Sequence, residues 1–133
     1  MPDFFSNAAS DNFRLLKSKP MSGTAVTAGT WSLLRIPKWA FISRVWVYVE
    51  TACNATDISI GWSGNTETAV PAAFLTQDVM DAGVVGYKEA THDTLTSFGQ
   101  KYFDKGTGAI TATVGTTLAT GKFYVFCQYS VIR

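Results

Sequence analysis

Residues 41–51 read Phe-Ile-Ser-Arg-Val-Trp-Val-Tyr-Val-Glu-Thr, which is the clearest strand pattern in the chain. Alternation of apolar and polar side chains with a period of two is typical of a strand that buries one face. We predict a strand here with one core face and one amphipathic face. The core face comprises Phe41, Ser43, Val45, Val47 and Val49. The amphipathic face comprises Ile42, Arg44, Trp46, Tyr48 and Glu50.

A second strand is predicted near the end of the chain, over residues 122–132. One of its faces carries Phe123, Val125, Cys127, Tyr129 and Val131. The other face carries Tyr124, Phe126, Gln128 and Ile132. Because both faces are largely apolar, we expect a central strand that is covered on both sides. One side of this strand is expected to be covered either by the N-terminal segment or by a subunit partner.

The composition extends this β pattern to the whole chain. Val, Ile, Thr, Phe, Tyr and Trp account for 52 of 133 residues, whereas there are only seven Leu and three Glu. This balance favours strands and argues against a helical bundle, although residues 71–80 are expected to hold one short helix. Turn signals recur every eight to twelve residues from Gly23 onward, which predicts seven or eight short strands. We therefore expect one antiparallel two-sheet β-sandwich domain, with a jelly roll as the leading topology.

Charge and hydropathy exclude several classes of protein. Eleven Lys and Arg against ten Asp and Glu leave a net charge of +1, so nothing indicates a nucleic-acid partner. No apolar run approaches the length of a membrane span, so no membrane partner is expected. The N-terminus, Met1-Pro2-Asp3-Phe4-Phe5, lacks the features of a signal peptide, which predicts synthesis in a cytoplasm.

The residues that usually carry catalysis are few and scattered. His92 is the single histidine, and the two cysteines, Cys53 and Cys127, are 74 positions apart. This inventory does not supply a zinc site or a nucleophile triad. We therefore predict no catalytic residue, no cofactor and no metal, with both cysteines buried as free thiols. A hydrolase centred on His92 is the weakest interpretation; a loop histidine is the simpler one.

Residues 1–22 differ from the rest, since Phe4, Phe5 and Phe13 stand among polar residues without a period. Exposed aromatic side chains are costly in water, so we interpret this segment as an extended N-terminal arm rather than a disordered tail. The arm either packs on its own domain or reaches a neighbouring subunit or partner. The β-sandwich domain is then residues 23–133.

The aromatic side chains outside the core are the candidate interface. Trp62 shares a face with Ile58 and Ile60 and is expected in the core, whereas Trp46 and Tyr48 lie beside Arg44 on the amphipathic face. Trp, Tyr and Arg are enriched at interface hot spots. Three interpretations of the amphipathic face remain open. It packs beneath the arm or a loop as a second, minor core; it forms a subunit interface; or it binds carbohydrate. The candidate interface residues are Phe4, Phe5, Phe13, Trp39, Arg44, Trp46 and Tyr48.

Three blocks of sequence resemble a known family. They are Leu33-Leu34-Arg35-Ile36-Pro37 followed by residues 40–49, then residues 58–61, and finally residues 109–114 followed by 121–126. In this order they are similar to small tailed-bacteriophage virion proteins of the cement, or head decoration, type. The resemblance implies a non-enzymatic jelly roll that binds the outer capsid surface and cements neighbouring capsomers. The implied partners are the major capsid protein and further copies of the chain, as a homodimer or homotrimer.

Two hypotheses about function follow. In the first, the chain is made in the bacterial host cytoplasm and sits on the capsid exterior of the virion. In the second, it is a receptor- or glycan-binding domain of a tail or fibre, where similar small sandwiches also occur. Four tryptophans motivate the second hypothesis, since aromatic rings stack on sugars.

Overall fold

A computed structural model describes residues 13–90 and 100–132 of the chain. These residues form ten strands, one short α-helix and a 3-10 turn at Gly23–Ala25. The helix, α1, spans Gln77–Met80. The strands are β1 (Phe13–Lys17), β2 (Met21–Ser22), β3 (Gly29–Ile36), β4 (Ala40–Thr51), β5 (Ile58–Gly64), β6 (Glu67–Leu75), β7 (Gly86–Glu89), β8 (Lys101–Tyr102), β9 (Gly108–Val114) and β10 (Lys122–Val131).

The strands form two antiparallel sheets, which confirms the predicted β-sandwich. One sheet has the order β1-β10-β4-β7, with β2 added beside β10 and β8 beside β4. The other has the order β3-β9-β5-β6. The chain passes from one sheet to the other between most of its main strands, whereas β5 and β6 form a hairpin within one sheet. Two sheets of four main strands linked in this way have the topology of a jelly roll.

Side chains from both sheets meet in one core. The six-stranded sheet contributes Val47 and Val49 from β4 and Phe123 from β10, and all three are fully buried. The four-stranded sheet contributes Ile60 from β5 and Ile110 from β9. Trp62 is also buried, as predicted, and its ring meets Phe103 edge-on with the centroids 5.9 Å apart.

The predicted faces of β4 are confirmed for its second half and wrong for its first. Val45, Val47 and Val49 are buried, but so is Ile42, whereas Phe41 and Ser43 are only half-buried. The cause is a β-bulge: Arg44 pairs with Gln128 and Ile42 with Tyr129, so Ser43 is an extra residue. One extra residue reverses the alternation on one side of it. The Ser43 hydroxyl donates to the Gln128 carbonyl at 3.1 Å.

The last strand is central, as its two apolar faces predict. β10 pairs with β4 on one side and with β1 and β2 on the other. Phe123, Val125 and Cys127 are buried in the core, and the opposite face of the strand is half-buried. From Phe13 onward the segment interpreted as an arm therefore supplies two strands to the six-stranded sheet.

The short helix begins later than the sequence indicates. It is predicted over residues 71–80, but β6 continues through Leu75 and only Gln77–Met80 are helical. Phe74 and Leu75 are buried as strand residues. Thr76 caps the helix, since its hydroxyl accepts a hydrogen bond from Val79 N–H at 3.4 Å.

A buried asparagine joins two loops at one end of the sandwich. Asn65 is fully buried in a left-handed conformation, with φ 56°. Its side-chain oxygen accepts hydrogen bonds from the Lys105 and Gly106 N–H groups at 2.6 and 3.1 Å. Its side-chain amide donates to Glu67 at 2.9 Å, and Glu67 also pairs with Lys101 at 2.7 Å. Because the bonds of Asn65 satisfy a buried polar group, this network fixes the turn between β5 and β6 against the loop after β8.

Both cysteines are free and buried, as the sequence predicts. Burial raises the pKa of the Cys127 thiol to about 12, and it also raises the pKa of Cys53. A thiol with a raised pKa is a poor nucleophile and metal ligand. The cysteines therefore act as small core residues.

Candidate functional site

The most distinctive surface of the molecule is the outward side of the six-stranded sheet. The strand registers, together with the alternation of side chains along each strand, identify the residues that point outward from this sheet. We call it the outer aromatic face. It comprises Leu15, Lys17, Arg44, Trp46, Tyr48, Tyr87, Glu89, Tyr124, Phe126 and Gln128.

A stacked pair of rings lies at the middle of the outer aromatic face. Trp46 of β4 is directly opposite Phe126 of β10. Their rings are parallel within 5° and their centroids are 5.5 Å apart. Lys17 of β1 covers the adjacent rings, with Nζ 4.5 Å from the centroid of Tyr124 and 5.9 Å from that of Phe126. Ring stacking and cation–π contacts fix these side chains in place before any partner binds.

Arg44 connects the aromatic rings to the edge of the sheet at β7. Its guanidinium lies 4.4 Å from the centroid of Trp46 and forms a two-pronged ion pair with Glu89, at 2.6 and 2.8 Å. It also donates to the Tyr87 hydroxyl at 2.6 Å, and that hydroxyl donates to Glu89. The hydrogen bond to Glu89 raises the pKa of Arg44 above its usual value. The ion pair therefore orients a planar cation within an otherwise aromatic surface.

Two tyrosines on the outer aromatic face are open to solvent. Tyr48 is 44% exposed and Tyr87 is 53% exposed, and the two are register partners on β4 and β7. Tyr124 is the partner of Tyr48 on the other side, so three tyrosines form a row across the sheet. A row of partly exposed rings presents apolar area with a polar edge, which suits contact with another protein surface.

A second aromatic group lies at the end of the same sheet. Phe41 and Tyr102 are register partners whose ring centroids are 6.4 Å apart. The Tyr102 hydroxyl donates to the Ile132 carbonyl at 2.7 Å, and the Ile132 N–H donates to the Trp39 carbonyl at 2.7 Å. Trp39 and Ile132 are 37% and 49% exposed. We call Trp39, Phe41, Tyr102 and Ile132 the end cluster.

Trp39 is held in a conformation that bulky residues rarely adopt. It lies in the turn Pro37–Ala40, where the Ala40 N–H donates to the Pro37 carbonyl at 3.3 Å, and its φ is 73°. The left-handed region costs an L-residue roughly 1–2 kcal/mol. A hydrogen bond from the Trp39 N–H to the Phe103 carbonyl, at 2.7 Å, holds this geometry, and Lys38 Nζ lies 4.7 Å from the indole centroid. Strain of this kind concentrates at binding sites.

The structure places the described candidate interface residues in two groups. Arg44, Trp46 and Tyr48 are together on the outer aromatic face, and Trp39 is in the end cluster. Phe13 begins β1 on the same side as Leu15 and Lys17, at the edge of the outer aromatic face, and is 50% exposed opposite Ser130. Phe4 and Phe5 lie outside the described residues, as does His92.

Sequence reasoning did not identify Tyr87, Glu89, Phe41 or Tyr102 as interface candidates. Tyr87 and Glu89 join the site only because β7 pairs with β4 across 38 or more intervening residues. Phe41 faces outward only because of the bulge at Ser43. In the sequence, only the aromatic side chains of Tyr87 and Tyr102 could have indicated an interface. That feature is not specific unless the pairing of β7 and β8 with β4 is known.

The described residues hold no cluster of His, Cys, Asp or Glu that suits a metal ion. An open depression of about 410 Å³ lies between β3 and β9; it is lined by Ser32, Leu33, Leu34, Arg35, Gly108 and Ala109. It brings together no acid–base pair. Within this part of the chain, no helix has the length and apolar character that crossing a membrane requires.

Comparison with solved structures identifies two chains with the same fold. One is in the acidic stable capsid structure of Helicobacter pylori bacteriophage KHP30, with 17% identity, a TM-score of 0.60, and coverage of 90% of this chain and 87% of that chain. The other is in the capsid asymmetric unit of cyanophage Pam1, with 19% identity, a TM-score of 0.60, and coverage of 91% and 86%. No protein-family model and no curated protein matches the sequence.

Proposed function

We propose that this chain is a non-enzymatic bacteriophage virion protein that binds the outer surface of the capsid and cements neighbouring capsomers. The fold is shared, over most of each chain, with chains from two phage capsid structures. At 17% and 19% identity this likeness concerns the fold. The proposed role therefore rests on the likeness together with the surface that the fold displays.

The observation that carries the proposal is the outer aromatic face. Tyr48 and Tyr87 are about half exposed, and they adjoin the ordered contacts of Trp46, Phe126 and Arg44. Contiguous exposed apolar surface of this kind marks protein interaction sites on soluble proteins. The surface lies on a sheet rather than in a deep pocket, which suits contact with a broad shell formed by the major capsid protein.

Repetition on a lattice makes a modest interface sufficient. A cement protein touches more than one capsomer, and the second contact forms at a high effective concentration once the first is made. The outer aromatic face and the end cluster supply two neighbouring contact areas on one rigid sheet. In this proposal the protein is made in the host cytoplasm and is located on the exterior of the virion.

The tail or fibre hypothesis receives less support from the geometry of Trp46. Its indole ring is already engaged by Phe126 and by Arg44. A sugar that stacked on this ring would have to displace one of these contacts. Trp39 is the remaining exposed candidate for a glycan contact, so saturable glycan binding that is lost in Trp39→Ala would favour the tail or fibre role.

A capsid-binding assay tests the proposal. Purified protein is sedimented with capsids that lack it, and bound protein is measured against concentration. Tyr48→Ala is compared with Val70→Ala, because Val70 is 42% exposed but lies on β6 of the other sheet. We expect the Kd of Tyr48→Ala to rise about thirty-fold, which corresponds to the loss of one hot-spot residue, and that of Val70→Ala to stay unchanged.

Three outcomes contradict the proposal or its assignment of the face. Wild-type protein that does not sediment with capsids contradicts capsid binding itself. Equal effects of the two substitutions, or a larger effect of Val70→Ala, contradict the outer aromatic face as the contact. Circular dichroism of each variant serves as the control that both remain folded.

A further inference from the structure

We propose that β1 pairs edge to edge with β1 of a second copy, antiparallel and around a two-fold axis at Leu15. Within residues 13–90 and 100–132, each of the two sheets has two edges. β1 and β7 flank one sheet, and β3 and β6 flank the other. An edge strand with apolar side chains is a template for pairing with another chain.

Three of these four edges carry features that oppose pairing. β6 contains Pro71 and has register shifts against β5. β3 has a register shift between Ser32 and Leu34. β7 is only four residues long. Prolines, bulges and short strands are the features by which edges avoid association.

β1 has neither a proline nor a bulge, although Arg14 and Lys17 place two charged side chains on this edge. Its five residues pair with β10 in continuous register, and Phe13 and Leu15 are 50% and 66% exposed. Among the described residues, Leu15 is thus an aliphatic side chain that is largely exposed on an edge strand. Since burial of such a side chain is favourable, the edge is stabilised by a partner strand.

The hydrogen-bond pattern shows which backbone groups of β1 point away from β10. Ser18 N–H donates to the Val125 carbonyl at 2.9 Å, and Val125 N–H donates to the Ser18 hydroxyl at 3.0 Å. Because bonded and non-bonded residues alternate along an antiparallel pair, Phe13, Leu15 and Lys17 direct their N–H and C=O groups away from β10. The Phe13 carbonyl accepts a hydrogen bond from the Arg14 guanidinium at 3.5 Å, and the other groups point to where a strand beyond β1 would lie.

Pairing around Leu15 is self-complementary. In that register Leu15 faces its own copy, and Phe13 faces Lys17 of the second molecule. The same Lys17 already lies against the Tyr124 ring at 4.5 Å, so Phe13 of the partner adds a further ring to an existing cation–π site. A two-fold interface uses one patch on both subunits, and this strand meets that requirement.

The pairing deepens the proposed function, because it names a second copy as one partner and joins two outer aromatic faces into one continuous sheet surface. That consequence for capsid binding rests on the proposed function. The pairing of β1 itself does not. A five-residue edge buries little area, so we expect a dimer that dissociates in the micromolar range and is favoured on a lattice.

Two substitutions in the full chain test the pairing. Leu15→Pro removes an N–H that points away from β10, so we expect a folded monomer by sedimentation equilibrium where the wild type is a dimer. Leu15→Cys places two thiols across the axis, where Cα atoms of a bonded pair lie about 5.5 Å apart, which is within disulfide reach. We expect it to form a covalent dimer under mild oxidation. Thr68→Cys, at an exposed position of the edge strand β6, is the matched control, and it should remain monomeric on a denaturing gel.

The outcomes separate this inference from the capsid proposal. A wild-type monomer or trimer at high micromolar concentration overturns the pairing, as does a Leu15→Pro dimer or equal cross-linking of the two cysteine variants. A wild-type dimer that fails to bind capsids leaves the pairing intact and overturns the capsid role. Circular dichroism shows whether Leu15→Pro is folded, and Leu15→Cys does not depend on that result.

Discussion

Trp39 combines an exposed indole with a left-handed backbone, so its side chain is placed for contact at a cost in backbone strain. At most positions in a sheet or turn, glycine is less favourable than alanine. At φ 73° the order reverses, because only glycine adopts this region without steric cost.

We therefore expect Trp39→Gly to be more stable than Trp39→Ala by about 1 kcal/mol, measured by urea unfolding. Both variants lose the indole, so their difference isolates the backbone strain. Both should bind capsids more weakly than the wild type. A Trp39→Ala variant as stable as Trp39→Gly would contradict the strain, and unchanged capsid binding would remove Trp39 from the interface.

Glu67 gives the stability a defined pH dependence. Hydrogen bonds from Lys101, at 2.7 Å, and from Lys105, at 3.2 Å, lower the pKa of this carboxyl below its usual 4.5. A lowered pKa stabilises the fold above the unfolded-state pKa, and this contribution is lost as the pH falls through the folded-state pKa. We expect the stability difference between wild type and Glu67→Gln to be largest above about pH 5 and to vanish in stronger acid. A difference that persists unchanged at low pH would contradict this assignment.

At the scale of the element, the β-bulge in β4 decides which side chains face outward. The sequence around Ser43 predicts continuous alternation, and nothing in the residue types marks the extra residue. The bulge places both Ile42 and Val45 in the core, with only two residues between them. Burial of two strong apolar groups outweighs the regular ladder at this point.

Deletion of Ser43 should therefore be tolerated. Without Ser43, Ile42 and Val45 still point into the core and Arg44 between them points outward. Both halves of β4 therefore keep the same side chains buried. Deletion of Val47 is the matched control, since it reverses one half of the strand and turns apolar side chains outward. We expect cooperative thermal unfolding for the Ser43 deletion and its loss for the Val47 deletion. Loss of cooperativity in both would contradict the bulge.

Elements with strong periodicity were predictable, and short or non-local ones were not. β4 and β10 follow from alternation, because each buries one face against the opposite sheet. The helix was misplaced because Pro71, which suggests a helix start, in fact interrupts the edge strand β6. At an exposed edge a proline costs little, so local sequence does not distinguish the two cases.

At the scale of the whole molecule, sequence reasoning named mainly the part of the candidate site that lies on a single strand. Trp46, Tyr48 and Arg44 share one face of one strand, and this relation is visible in the chain itself. Tyr87 and Glu89 join them through a strand pairing that depends on the jelly-roll topology. The end cluster likewise requires the ends of β4, β8 and β10 to meet, which linear sequence does not specify.

The most direct test of the proposed capsid role is the location and copy number of the protein in assembled particles, measured by cryo-electron microscopy of purified virions. We predict hundreds of copies on the outer surface of the shell, with Tyr48 and Tyr87 against the major capsid protein and Val70 away from it. A handful of copies on the tail or a fibre, or no copies in the particle, would contradict it.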